Sequence, residues 1–231
     1  MTASGLTTSR SQAESWIKLG KVTVDDKVQS KPGFFVHEKA LIKLNAKEQY
    51  VSRAGLKLAS VAEILGIDFK DKTVLDIGSS TGGFTDYALQ HGAKKVFAVD
   101  VGTDQLHPSL HGDARIELHE KTDIRDFYLE NEKPDIIVMD VSFISLRDIL
   151  PHVVENLADS RTQVVAMLKP QFEASRGQTN KGVIKNNAVR RQILRDFEQW
   201  VGEAFSVISK RDSEVAGAKG NQERFYLLRK R

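Results

Sequence analysis

The 231-residue sequence contains no cysteine, which excludes disulfide staples and thiolate metal sites and leads us to expect a reducing compartment. It also lacks any apolar run approaching the roughly eighteen residues that would cross a bilayer. The opening MTASGLTTSRSQ has neither an apolar core nor a cleavage-like pattern, so no export signal is read and a cytoplasmic location is expected. Aromatics make up only 7%, prolines number five, and a formal net charge of +3 gives no strong excess of either sign. What charge asymmetry exists is local. Residues 1–60 hold ten Lys/Arg against five Asp/Glu, whereas the rest of the chain is slightly acidic. A polyanion such as RNA is therefore an expected partner for the N-terminal quarter.

The pattern of elements divides near residue 50. Residues 9–19 carry Ala13, Trp16 and Ile17 at helical spacing, with Ser9 or Ser11 placed to cap and Gly20 to stop the helix. KVTVDDKVQSKPGFFV (21–36) reads as a hairpin turning at Asp25-Asp26, and 40–44 as one further strand. A polar linker is expected at 45–49. Beyond it, Ser52 is placed to cap a helix to about Leu65. Apolar runs then follow at 74–77, 96–99, 116–118, 136–139 and 164–168, separated by helix-length segments. Such alternation predicts an α/β domain with a mainly parallel, Rossmann-like sheet. Runs at 205–209 and 225–228 lie too close for a helical crossover and predict an antiparallel hairpin at one sheet edge.

LDIGSSTGGFTD (75–86) is a strand running into a glycine-rich turn. It lacks the Lys-Ser/Thr pair of a phosphate loop, and its spacing is G-x-x-x-G-G rather than G-x-G-x-x-G. Asp76, at the strand end, would repel a pyrophosphate but suits a ligand with an ammonium group, and S-adenosylmethionine carries one. Asp100 ends the next strand, where a carboxylate can accept from ribose hydroxyls. Asp123 follows the third, where it could read an adenine amino group. The candidate donor site is Asp76, Gly78, Ser79, Ser80, Gly82, Gly83, Phe84, Asp100, Val101 and Asp123. No metal-ligand set is read: His107, His111 and His119 have no clear ligand spacing.

On the acceptor side, two apolar strands close on charged residues, Asp140 in DIIVMD and Lys169 in VVAMLKP. No proline pair follows Asp140 to cup a flat base, and cysteine-based methylation is impossible. A hydroxyl acceptor needs a base, and lysine serves only if its pKa falls from about 10.4 towards about 7–8 through desolvation or a neighbouring cation. Lys57 in YVSRAGLKL and Glu223 in GNQERFYLL can fold over the same cleft.

Together YVSRAGLKL, LDIGSSTGGFTD, VFAVDVGTDQL, DIIVMDVSFISL, LKPQFEA, KGVIK and GNQERFYLL resemble the bacterial haemolysin A (TlyA-type) family, in order from residue 50 to the end. Members are ribosomal RNA methyltransferases with an FtsJ-like catalytic domain. The resemblance implies a catalytic tetrad at Lys57, Asp140, Lys169 and Glu223, with Lys169 at or beside the base. The reaction it implies is S-adenosylmethionine-dependent methylation of a cytidine 2′-hydroxyl in 16S or 23S rRNA. SRSQAESWIKLGKVTVDDKVQSKPG (9–33) is similar to part of an S4-type RNA-binding module, with most of that module's first helix wanting before Leu6. The domains expected are thus a partial S4-like module (1–44), a linker (45–49) and the methyltransferase domain (50–231). Ala54 stands where the family's first motif usually has glycine, which a helical backbone would tolerate.

Expected phosphate contacts are Arg10, Lys18, Lys21, Lys31 and Arg53, with Arg176, Lys181 and Lys185 in the lid-like loop ASRGQTNKGVIKN (174–186). Phe143 is expected in the core, with stacking on a target nucleotide as the alternative. Three other functions remain open at this stage: a silent RNA-binding factor, a membrane-active haemolysin and a small-molecule O-methyltransferase.

Overall fold

The computed structural model describes residues 1–7, 10–18, 20–45, 50–130, 132–175, 177–217 and 219–231. Helix α1 (Arg10–Lys18) precedes strands β1 (Val22–Val24), β2 (Lys27–Val28) and β3 (Ile42–Leu44), which pair antiparallel in the order β2-β1-β3. Asp25 and Asp26 form the expected turn, both at positive φ (49° and 62°), the geometry that follows the twist of a two-residue hairpin. Asp25 Oδ1 also accepts from the Leu41 amide at 2.8 Å, tying the approach to β3 to the same turn. Trp16 and Val22 are buried against the cluster that includes Tyr50, and the Gln12 side chain donates to the Tyr50 carbonyl at 2.9 Å. Ser9, Leu19 and most of the expected linker lie outside the described residues.

The larger part begins with α2 (Arg53–Leu65), which ends on Gly66 in the left-handed region. Ser52 occupies the cap position, but its hydroxyl makes no capping bond. Ala54 lies within α2, so its backbone is helical as expected. There follow β4 (Thr73–Ile77), α3 (Gly83–Gln90), β5 (Lys95–Val99), β6 (Ile116–His119) and β7 (Ile136–Met139). Helix α4 (Leu146–His152) runs on as a π-helical turn (Val153–Leu157), and β8 (Gln163–Leu168), α5 (Pro170–Glu173) and α6 (Asn187–Val201) come next. A hairpin of β9 (Phe205–Asp212) and β10 (Arg224–Lys230) closes the chain.

The seven-stranded sheet has the order β6-β5-β4-β7-β8-β10-β9. Its first five strands are parallel, and β10 pairs antiparallel with both β8 and β9. The central strands are buried on both faces. Val74, Ile136, Val138 and Val165 pack with α2 and α3, while Leu75, Ile77, Ile137 and Met139 pack with α4 and α6. Each such side chain contributes about 1.5–3 kcal/mol on burial, so the two layers fix the sheet and with it the strand ends. Among the described residues, no helix is long and apolar enough to cross a membrane.

Candidate active site at the carboxyl edge of the sheet

Strand order reverses at β4, between β5 and β7, and in open α/β sheets ligands bind in the crevice beyond the carboxyl ends at such a point. A cavity of about 440 Å³ lies there, lined by Gly78, Ser80, Asp100, Val101, Asp123 and Asp140 among others. Six side chains or backbones chosen from sequence thus meet in one place.

The remaining turn residues lie behind it. Ser79 is buried, Phe84 packs in the core 6.0 Å from the ring of Phe225, and Gly83 opens α3 against α2. A methyl group on Gly83 would stand 2.2 Å from Ser52 Oγ and 2.9 Å from the Gly55 nitrogen, so this glycine permits two helix N-termini to touch. Gly82, by the same measure, abuts Leu106 and Leu110. Gly78 differs: at φ 81° it approaches the Asp140 carbonyl, 3.1 Å from where a Cβ would sit, and forms part of the cavity wall.

Asp76 is fully buried. Its Oδ2 accepts from the Thr85 amide at 2.9 Å and hydroxyl at 2.7 Å, while Oδ1 has no hydrogen-bond partner. Burial pushes its pKa up to about 7, the nearby Asp140 and Asp100 carboxylates push the same way, and the Thr85 bonds oppose them. Asp76 does not itself line the cavity, but its unpartnered oxygen is able to accept a hydrogen bond from a cationic group. Asp100 is held differently, with Oδ2 accepting from the Ser80 amide (2.8 Å) and Oδ1 from the Gly102 amide (2.7 Å). One lone pair on each oxygen remains for a diol. Asp123 is gripped by Arg125 through Nε at 3.0 Å and Nη2 at 2.6 Å, which holds its pKa down at about 2. It faces the cavity as an ionised, oriented carboxylate.

The four residues expected on the acceptor side form two close ion pairs. Lys169 Nζ lies 2.6 Å from Asp140 Oδ1, and Lys57 Nζ lies 2.6 Å from Glu223 Oε2, all four side chains at least 86% buried. Neither contact has hydrogen-bond direction. Lys169 instead donates to Ser142 Oγ at 2.6 Å. Because Arg224 registers with Leu168, the antiparallel ladder continued by one step sets Glu223 opposite Lys169. Strand register therefore carries the second pair to the edge occupied by the first.

Sequence reasoning missed the groups that hold these residues. Ser142, Thr85 and Glu173 carry no signal beyond residue type, although Thr85 in the first turn after the glycines was open to suspicion. Glu173 accepts from Ser145 Oγ at 2.6 Å and the Leu146 amide at 2.7 Å, clamping the loop after Asp140, and burial raises its pKa. In that loop the core expectation for Phe143 fails. It is 91% exposed at φ 67°, a left-handed backbone that turns the ring outward, 5.2 Å from Phe172.

Of the expected phosphate contacts, Arg10, Lys21, Lys31, Lys181 and Lys185 are exposed, and Lys18 is exposed but paired with Glu14 at 2.7 Å. Arg53 is half-buried, its Nη2 donating to the Ala216 carbonyl at 2.5 Å. Arg176 lies outside the described residues. His107, His111 and His119 are spent locally, on Ser109, the Leu106 carbonyl and Glu117.

Comparison with known proteins matches this geometry to a family. Residues 50–231 fit the family model described as FtsJ-like methyltransferase, and residues 1–42 fit the S4 domain. The 23S rRNA (cytidine-2′-O)-methyltransferase TlyA of Campylobacter jejuni is 43% identical over 78% of this chain and 70% of its own length. The 16S/23S rRNA (cytidine-2′-O)-methyltransferase TlyA of Mycobacterium tuberculosis is 35% identical over 97% of this chain and 86% of its own. A solved chain from Streptococcus thermophilus, assigned as a hemolysin, has TM-score 0.76 and 38% identity, covering 97% of this chain and 84% of that one.

Proposed function

Since the chain belongs to the FtsJ-like methyltransferase family, we propose that it transfers the methyl group of S-adenosylmethionine to the 2′-hydroxyl of a cytidine in 16S or 23S rRNA. The observation that carries the proposal is the pair Asp140–Lys169, since Asp140 lines the same cavity as Asp100 and Asp123. Acceptor chemistry thus adjoins a site suited to a nucleoside. Support for the target comes from the two TlyA relatives and from the S4 match. Such a substrate places the reaction in the cytoplasm.

The residues fit the donor. Asp76, with its unpaired buried oxygen, would take the ammonium group, Asp100 the ribose diol and Asp123 the adenine, while the close backbone at Gly78 leaves room for the chain between them. Ser79, Ser80, Gly82, Gly83, Phe84 and Val101 complete the site, those behind the turn by shaping it. The bound donor supplies a methyl group on a sulfonium, ready for in-line displacement. The protein's part is to present the acceptor. Lys169, anchored by Ser142 and Asp140, holds the 2′-hydroxyl and takes its proton as the O–C bond forms and the S–C bond breaks. Glu223, paired with Lys57, orients that lysine. Alignment of this kind supplies much of a displacement's rate advantage.

RNA is held by the exposed cations Arg10, Lys18, Lys21 and Lys31 of the small module, and by Arg176, Lys181 and Lys185 of the loop beside the site. Phe143, exposed three residues after Asp140 and on the cavity rim, would stack on the extruded nucleotide. The division into an S4-like module (1–44), a linker (45–49) and a catalytic domain (50–231) belongs to the same proposal.

The test is transfer of tritiated methyl from S-adenosylmethionine to purified 30S and 50S subunits, with Lys169→Ala as control. Label in the RNA of one particle, absent with the variant, is expected. Unlabelled RNA with donor binding intact by calorimetry would refute the assigned substrate.

A further inference from the structure

Between β9 and β10 the chain crosses the face of α2, and three residues of that helix hold it. Arg53 Nη2 donates to the Ala216 carbonyl at 2.5 Å, Lys57 pairs with Glu223 at 2.6 Å, and Ser60 Oγ accepts from the Glu214 amide at 3.4 Å. Positions 53, 57 and 60 recur at i, i+4 and i+7, so they share one helix face. The crossing segment is also tied to itself, through Ser213 N–H to the Glu223 carbonyl (3.0 Å) and Gly217 N–H to the Asn221 carbonyl (2.9 Å). Gly217 presses on the carboxylate: a Cβ there would stand 2.6 Å from Glu223 Oε1.

The same segment borders both regions assigned to RNA. Glu14, Ser15 and Lys18 of α1 line a cleft of about 220 Å³ together with Arg53, Ala216 and Gly217. Buried Asn221 accepts from the Ile184 amide at 3.0 Å and donates to the Gly182 carbonyl at 2.9 Å, which anchors the loop carrying Lys181 and Lys185.

We infer that Arg53 is a positioning residue, not a phosphate contact. It fastens the β9–β10 segment to α2, and through Ala216 and Gly217 it fixes the carboxylate of Glu223 against Lys57. The small module shares a cleft with this segment and the basic loop is hydrogen-bonded to it through Asn221, so both regions assigned to RNA abut it. The inference rests on the assignment of Lys57 and Glu223 to that side.

The experiment compares Arg53→Ala, Arg53→Lys, Gly217→Ala and Glu223→Ala in the full chain. Turnover, RNA affinity across a salt series and amide hydrogen exchange are measured for each. Arg53→Ala should lower kcat on the order of tenfold, as expected for a displacement of about 1 Å or less. It should also speed exchange at Ser213 and Gly217 while leaving exchange in β4 and β7 and the salt slope of RNA binding unchanged. Arg53→Lys, which keeps a donor for the Ala216 carbonyl, should restore most of both losses. Gly217→Ala, which leaves Arg53 in place, should reproduce the loss of kcat through the displaced carboxylate, and covers the case in which Arg53→Ala fails to fold.

Unchanged kcat and exchange in Arg53→Ala, with weaker RNA binding and a salt slope reduced by about one, would overturn the inference and make Arg53 a phosphate ligand. Normal turnover in Glu223→Ala would instead sink the assignment on which it rests. Exchange at Ser213 and Gly217 would still report whether Arg53 holds the segment.

Discussion

The halves of the crevice proposed for donor and acceptor are built by different means. On the donor side, β4, its glycine turn and the ends of β5 and β6 fix the groups largely through local and backbone bonds: Asp100 accepts from two amides, Asp76 from the amide and hydroxyl of Thr85, and Asp123 from Arg125 two residues on. On the acceptor side the four charged residues come from α2, β7, β8 and the approach to β10, and they meet as side-chain ion pairs. A site made of backbone is rigid and short in sequence. A site made of distant side chains depends on the whole sheet being in register. The donor half should therefore tolerate loss of an acceptor residue, and the acceptor half should be sensitive to changes far from the chemistry.

The largest expected effect breaks the acceptor half alone. Lys169→Ala should lower single-turnover transfer by a factor on the order of 10²–10⁴, the usual worth of a positioned acid or base, while donor affinity by calorimetry stays within about twofold. Near-normal turnover would remove Lys169 from the mechanism.

Next is a pH effect confined to the donor half. Asp76 has a folded pKa of about 7 against 3.8 unfolded, so the ligand-free native state holds the extra proton between those values. Its contribution to stability is full below the unfolded value and is lost as pH rises through about 7, on the order of 4 kcal/mol in all. A cationic ligand reverses the preference by stabilising the carboxylate. Donor affinity should accordingly fall about tenfold per pH unit below 7, with a proton released on binding, and Asp76→Asn should abolish both the proton release and this pH dependence of unfolding. Calorimetry in buffers of different ionisation enthalpy measures the proton directly. Pairwise identical heats would show that Asp76 does not meet the ammonium group.

Gly83→Ala sharpens the comparison at the joint between the halves, where α3 meets α2. The new methyl would meet Ser52 Oγ at 2.2 Å and backbone at 2.9 Å, a clash that should cost about 1–3 kcal/mol in urea unfolding. It should weaken turnover through Lys57 more than donor binding. The smallest effects are expected at the surface. Lys21→Ala or Lys31→Ala should reduce rRNA affinity a few-fold and lower the slope of log K against log salt by about one each, with no change in kcat.

Much of the fold was legible because its strands are buried on both faces. The runs at 74–77, 96–99, 136–139 and 164–168 lie within β4, β5, β7 and β8, since unbroken apolar runs flanked by turn residues leave little else for the chain to do. The edge hairpin was legible from spacing alone, although β9 extends to Asp212 through residues too polar to announce a strand. Phe143 was misjudged for a definite reason. In DVSFISL it sits among apolar neighbours, and only its left-handed backbone, held between Asp140 and the Glu173 clamp on Ser145, directs it outward.

The partners that hold the acceptor side were hidden by distance. Arg53 and Ala216 are 163 residues apart, and Glu214 and Ser60 are 154 apart, so no local window contains both members of either pair. Local sequence decided where strands run, where the backbone must turn at glycine and which charged residues end those strands, because these depend on neighbours within a few positions. Only the tertiary structure decided that Lys57 faces Glu223, that Ser142 takes the bond from Lys169 and that Asp76 keeps an oxygen unpaired. Those outcomes follow from sheet register and from which buried groups find a partner, and both are settled only when all seven strands have packed.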